Sequence, residues 1–350
     1  MSSVNTLEIC LPDDWHLHVR DGEFLPDLLR HTASQFGRAI IMPNLKPPVT
    51  NADMAIAYKT RILNALPPGS NFEPLMVLYL TDNTSADDVK RAKEVGVVGF
   101  KLYPAGATTN SDAGVTDIKK CADALDAMSD CGMPLLVHGE VTHSEIDVFD
   151  REAVFIDQVL EPLRARHPGL KVVFEHITTK QAAQYVESAD TTRFGAIAAT
   201  ITPQHMLYNR NAIFTGGIRP HYYCLPILKR EEHRQELVRV AISGNSRFFL
   251  GTDSAPHLKG TKENACGCAG CYTAWHAMPL YAEVFDAANA LSRLEGFASQ
   301  FGPDFYGLPR NTAKLTLRRE TQQIPNEFPM GNGTVVPLRA GETIAWSIVG

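Results

Sequence analysis

No run in this sequence is long and apolar enough to cross a bilayer; stretches such as residues 75–80 are strand-length. The start, MSSVNTLEICLPDDWHLH, has no basic segment followed by an apolar one, so no signal peptide is expected. Basic runs and stripes are also missing. With 33 Lys and Arg against 39 Asp and Glu, the net charge is −6, which argues against nucleic acid or an anionic membrane as a partner. Seven cysteines, an odd number scattered through 350 residues, read as reduced thiols in a cytoplasm rather than as a disulfide framework. No linker, repeat or low-complexity tract divides the chain. No GxGxxG follows an apolar run, which removes the fingerprint of an open dinucleotide-binding sheet.

What is present is the balance of a soluble protein with a large core, 44% hydrophobic and 21% charged. Eight short apolar runs read as strands: 7–11 leading to 19, 39–43, 75–80, 98–103, 135–138, 172–176, 196–201 and 248–251. They lack clean alternation, as parallel strands buried on both faces do. Between them lie helical stretches. Ser85 can cap VKRAKEVG and Gly96 can stop it, Asp150 opens REAVFIDQVLEPLRAR, and Pro226 precedes ILKREEHRQELVRVAISG. Eight βα units over roughly 250 residues predict an α/β fold, a (β/α)₈ TIM barrel of parallel strands. We read residues 1–350 as a single barrel domain with a C-terminal extension from about Pro303 that packs on the barrel.

His16-Leu-His18 ends the first run, where a period-2 strand points both imidazoles to one face. An HxH pair alone is a weak signal. Its weight comes from Lys101 in GFKLYP, His138 in PLLVHGE, His176 in KVVFEHI and Asp253 in RFFLGTDSAP, because five strands then each offer a metal-capable residue at the C-terminal mouth. Core or loop polar residues would not gather at one end of a barrel.

Lys101, between Phe100 and Leu102, would bury an ammonium at a cost of several kcal/mol. It either pairs with an acid or snorkels, or its lowered pKa frees an amine that captures carbon dioxide as a carbamate. A carbamate suits bridging two cations about 3.5–4 Å apart.

This set resembles the amidohydrolase superfamily. DDWHLHVRDG, MPNLKPPVTN, GFKLYPAGATTNS, GTDSAPH and CGCAGC resemble the short bacterial dihydroorotases over essentially the whole chain. The resemblance implies reversible interconversion of (S)-dihydroorotate and N-carbamoyl-L-aspartate in pyrimidine synthesis. It implies one metal on His16, His18 and Asp253, a second on His138 and His176, and a bridging carboxylated Lys101. A hydroxide between the metals is the implied nucleophile, with Asp253 taking its proton and passing it to the departing nitrogen. Both ions are zinc by that likeness, although the nitrogen and oxygen donors also suit other divalent ions.

Arg20, two residues past His18 on the same strand face, would meet the substrate carboxylate with its guanidinium fork. By resemblance Asn44 and His257 share that carboxylate, and Leu225 and Ala269 meet the ring through their backbone. Residues 105–116, AGATTNSDAGVT, form a loop able to close over substrate, with Thr108 and Thr109 offering hydroxyls.

Cys266, Cys268 and Cys271 lack a fourth ligand nearby, so we expect loop packing rather than a zinc site. His143 and His205 are expected to be plain loop residues. Two rivals remain: another ring amidase, hydantoinase- or allantoinase-like, and a metal-free assembly scaffold. Against the first stand Arg20 and the mere 15 residues before His16; against the second stands the full set of six ligands. The resemblance also implies a homodimer.

Overall fold

The computed structural model describes residues 5–349. Eight parallel strands form one sheet in sequential order: β2 (Asp13–Leu17), β3 (Arg38–Ile41), β4 (Glu73–Tyr79), β5 (Gly99–Leu102), β6 (Leu135–Val137), β7 (Val172–Phe174), β8 (Ile197–Ile201) and β9 (Phe248–Leu250). The sheet nearly closes on itself. A parallel bridge joins Leu17 to Ser254, with Asp253 N donating to His16 O at 2.9 Å and His18 N to Ser254 O at 3.1 Å. Helices alternate with these strands, as the periodicity predicts. Ser85 makes a full capping box with Asp88, and Gly96 follows that helix at φ +80°.

The first run departs from expectation. Residues 6–10 are not the start of barrel strand one. They form β1 (Thr6–Cys10), which pairs antiparallel with β10 (Lys314–Arg318), outside the barrel. Pro12 explains the break, because it has no amide to continue a ladder. The chain turns there, Leu11 N bonds Ala313 O at 2.8 Å, and the barrel begins afresh at Asp13.

Inside the barrel, Ile40, Val77, Leu136, Val173, Ala198 and Phe249 pack with Trp15, while Phe100, Leu102, Val137 and Phe174 face the helices. That alternation sets the site, because Lys101, His138 and Glu175 fall on the inward register. In β2 a bulge between Asp14 and Leu17 shifts the register. Trp15 and His16 can then both face inward, with Leu17 outward in the helix-facing core.

The helix Phe301–Tyr306 shuts the opposite, N-terminal end. Tyr306 stacks on Trp15 with centroids 4.5 Å apart and planes 9° from parallel. Gly302 has to be glycine, because a Cβ there would overlap the Trp15 indole nitrogen.

Candidate metal and substrate site

Four imidazoles, a lysine and two carboxylates converge at the C-terminal mouth, all nearly buried. Most stand just beyond the last laddered residue of their strands, not within it: His18 after β2, His138 after β6, His176 after β7 and Asp253 after β9. Leaving the ladder frees the backbone to turn. His176 takes φ +41° and Asp253 φ +46°, in the left-handed region that costs a non-glycine residue about 1–3 kcal/mol. The neighbourhood holds both, through Thr200 Oγ1 on His176 N at 2.7 Å and His16 O on Asp253 N at 2.9 Å.

Asp253 Oδ1 lies 3.2 Å from His18 Nε2 and 3.4 Å from His16 Nε2. The His176 ring sits between those of His16 and His138, 4.9 Å from each. Two groups have the spacing to hold a cation: His16, His18 and Asp253, and His16, Glu175 and His176. Burial pushes His18 down to about 4, with Asp253 opposing, and drives His176 well below its ordinary value. Burial pushes the Asp253 carboxyl up, but His16 and the bond from His18 outweigh it and hold it at about 2. The His18 and His176 imidazoles, both favouring the neutral form, with an ionised Asp253 carboxylate and His176 Nδ1 buried and unbonded, make a donor set that fits divalent metal.

Glu175 is a residue the sequence reading missed. It is fully buried, with Oε2 2.6 Å from Lys101 Nζ and 2.5 Å from His16 Nδ1, the latter contact poorly aligned for a hydrogen bond. Burial pulls the Lys101 amine below its ordinary range against the attraction of Glu175. An acid in an otherwise apolar strand, directly before a candidate ligand, was the available signal. Glu140 is a second such residue, accepting from His138 Nε2 at 2.8 Å and leaving Nδ1 to face the site.

The expected substrate contacts surround the same space. An outer cleft of about 850 Å³ leads to an inner chamber with about 20 Å³ of free space. His16, His18, His138, His176 and Asp253 line the chamber; Lys101 lies behind them. Arg20, Asn44, Thr108, Thr109, Leu225 and Ala269 line both compartments, and His257 only the cleft. The inner space suits ions and water, so a six-membered ring would span the two.

Arg20 is not on a strand as expected; it lies past β2 at φ +59°. Its Nε donates to Pro256 O at 2.8 Å and one terminal nitrogen lies 3.1 Å from His257 Nε2, which is itself 2.9 Å from Ala269 O. Asn44 is already engaged on both sides, with Oδ1 2.9 Å from His18 Nδ1 and Nδ2 donating to Thr109 O at 3.2 Å. It therefore orients a candidate ligand and ties down the loop. That loop is folded inward, with Asn110 Nδ2 donating to Asn44 O at 3.0 Å and Ser111 Oγ to Thr108 O at 2.6 Å.

His205 is not a loop residue. It sits on the helix Pro203–Leu207, buried, between Thr202 Oγ1 at 2.7 Å and Pro226 O at 2.9 Å. His143 is an exposed loop residue. Cys266 is exposed, Cys268 half-buried and Cys271 buried, and among the described residues the candidate metal groups contain no cysteine.

With this geometry in hand, the comparisons with known proteins identify the class. The chain belongs to the amidohydrolase family, whose model matches residues 13–317. A dihydroorotase of Cupriavidus pinatubonensis is 69% identical over 97% of this chain and 98% of its own length. The crystal structure of a dihydroorotase from Campylobacter jejuni has a TM-score of 0.90 at 37% identity, covering 100% of this chain and 99% of that one. A Saccharomyces cerevisiae dihydroorotase in complex with 5-fluoroorotic acid has a TM-score of 0.88 at 33% identity, with 99% of both chains covered. Within the amidohydrolases, the particular group is therefore the dihydroorotases. These relatives favour that reading over the hydantoinase-like, allantoinase-like and scaffold alternatives.

Proposed function

We propose that this enzyme interconverts (S)-dihydroorotate and N-carbamoyl-L-aspartate in pyrimidine synthesis at a centre of two divalent ions, most simply zinc. The observation that carries the reading is the convergence of ligand-ready side chains from four strands on one chamber at the barrel mouth, with Lys101 of a fifth behind them. In this reading His16, His18 and Asp253 would hold one ion and His138 and His176 the other, and Lys101, carboxylated by carbon dioxide, would supply an anionic ligand shared between them. Bound there, the ions would lower the pKa of a water and polarise the ring amide carbonyl.

Asp253, ionised and beside both imidazoles of the HxH pair, takes the proton of the attacking water on a carboxylate oxygen and gives it to the departing ring nitrogen. Run backward, the same carboxylate serves ring closure. Glu140 orients the His138 ring through its hydrogen bond, and the buried Glu175 carboxylate lies against His16 Nδ1. Arg20, with His257 and with the Asn44 Nδ2 released from Thr109 O, binds the carboxylate outside the reacting amide, while Leu225 and Ala269 border the ring. Thr108 and Thr109 cover the bound substrate and exclude water.

A second reading rests on the grouping of Glu175 with His16 and His176. There Glu175 is the anionic ligand and Lys101 its unmodified ammonium partner. The two differ in the mass of native protein, because only the first adds one carbon dioxide.

We further propose one domain spanning residues 1–350, a homodimer and a cytoplasmic location. Among the described residues no helix is long and apolar enough to cross a membrane. The experiment for the whole reading follows the ring absorbance of dihydroorotate with purified, metal-analysed protein, before and after chelation. No turnover by metal-replete protein, or full turnover after metal is stripped, would reject it.

A further inference from the structure

Lys262 is a buried lysine that the site chemistry does not use. Only 4% of it is exposed, yet its ammonium has no carboxylate partner among the described residues; the ionisable groups that feel its charge include Cys271, Cys224, Cys268, Arg20, His221 and His257. Instead its three donors go to three backbone carbonyls: Tyr223 O at 3.1 Å, Cys268 O at 2.7 Å and Gly270 O at 2.6 Å. Those carbonyls belong to two separate segments of the mouth. Tyr223 precedes Leu225, and Cys268 and Gly270 flank Ala269. The segments also touch directly, Gly270 N donating to Tyr223 O at 3.0 Å.

Three carbonyl dipoles aimed at one point repel one another unless a cation sits there. An apolar side chain of similar length would fill the space but leave the Cys268 and Gly270 carbonyls without this donor. What the ammonium adds is a further tie between the two segments, holding the Cys268 and Gly270 carbonyls to that of Tyr223 alongside the Gly270 N–Tyr223 O hydrogen bond. We propose that Lys262 is a positioning residue for substrate recognition, clamping the 223–225 and 268–270 backbones at the separation the substrate ring requires. This rests on the proposed contacts of Leu225 and Ala269 with that ring.

The test uses full-length, metal-replete enzyme carrying Lys262→Met, which keeps the stem and removes the donors. We expect two equivalents of metal to remain, KM for dihydroorotate to rise about tenfold, and kcat to fall much less. Backbone amides of residues 223–225 and 266–271 should exchange with deuterium faster than in the parent. Lys262→Gln, which retains two donors, should give smaller changes in the same direction and serves if the methionine variant does not fold. Unchanged exchange would overturn the clamp. Faster exchange with unchanged KM would overturn the link to recognition and remove Leu225 and Ala269 from the substrate site. Loss of metal and kcat at constant KM would mark Lys262 as a general structural residue and also overturn the proposal. If the parent enzyme does not turn over dihydroorotate, the functional reading fails by itself, and the exchange data still judge the clamp.

Discussion

Replacing Lys101 with alanine is the most informative single change, and its consequences separate into two measurements. The side chain is fully buried with Nζ 2.6 Å from Glu175 Oε2. Removing it strands a buried carboxylate with His16 as the remaining close partner, which costs about 3–5 kcal/mol. That loss is expected of metal-free protein whether or not the lysine is carboxylated in the working enzyme, so denaturant unfolding of chelated protein tests the ion pair alone. Metal content tests the bridge. Without an anionic bridge, two dications only ~4 Å apart repel strongly, and the variant should retain fewer than two equivalents and lose most turnover. Arginine should not restore it, because a guanidinium forms no carbamate and adds a fixed charge, whereas a short carboxylic acid added to the alanine variant should restore part of the activity. The bridge is refuted if native parent protein carries no added carbon dioxide and Lys101→Ala still holds two equivalents of metal.

Arg20→Met should fold and bind metal normally but lose about 1.5–3 kcal/mol of transition-state binding, read as a 10- to 150-fold fall in kcat/KM; parental efficiency would remove Arg20 from the site. Thr108 and Thr109 changed together to glycine should leave metal content intact and lower kcat, since their loop lines the inner chamber; normal turnover would make the loop a mere connection. Gly302→Ala forces a methyl into the Trp15 indole at the far end of the barrel, so stability to denaturant should fall by about 1–3 kcal/mol or more while the metals stay bound. An unshifted unfolding midpoint would contradict the packing described there.

Where residue chemistry and periodicity agreed, the sequence was readable. The six candidate ligands could be named because each is a polar residue at the end of an apolar run, and buried parallel strands leave few other places for such residues. Strand one was misjudged because the apolar pattern of residues 6–10 runs up to the barrel strand, and only the missing amide of Pro12 marks the change of sheet. The acid beside Lys101 could not be named in advance, since Glu175 lies 74 residues away and meets it only because β5 and β7 flank β6 with both side chains facing inward. Arg20 was placed in the right cavity for the wrong reason: a left-handed turn carries it there, not strand alternation. His205 carries no motif, and its role emerges only when Thr202 and Pro226 are seen on either side of its ring.

The pairing of β1 with β10 has a consequence for how the molecule comes into being. During synthesis β1 leaves the ribosome without its partner until residues 314–318 follow it, some 300 positions later. Trp15 likewise waits for Tyr306 before the floor of the barrel is covered. The eight central strands can assemble in order as they emerge, while the apolar underside stays open until residues 301–306 follow. A polypeptide arrested shortly before Phe301 would carry every candidate ligand and yet lack the base on which the barrel rests, and it is a natural client for chaperones.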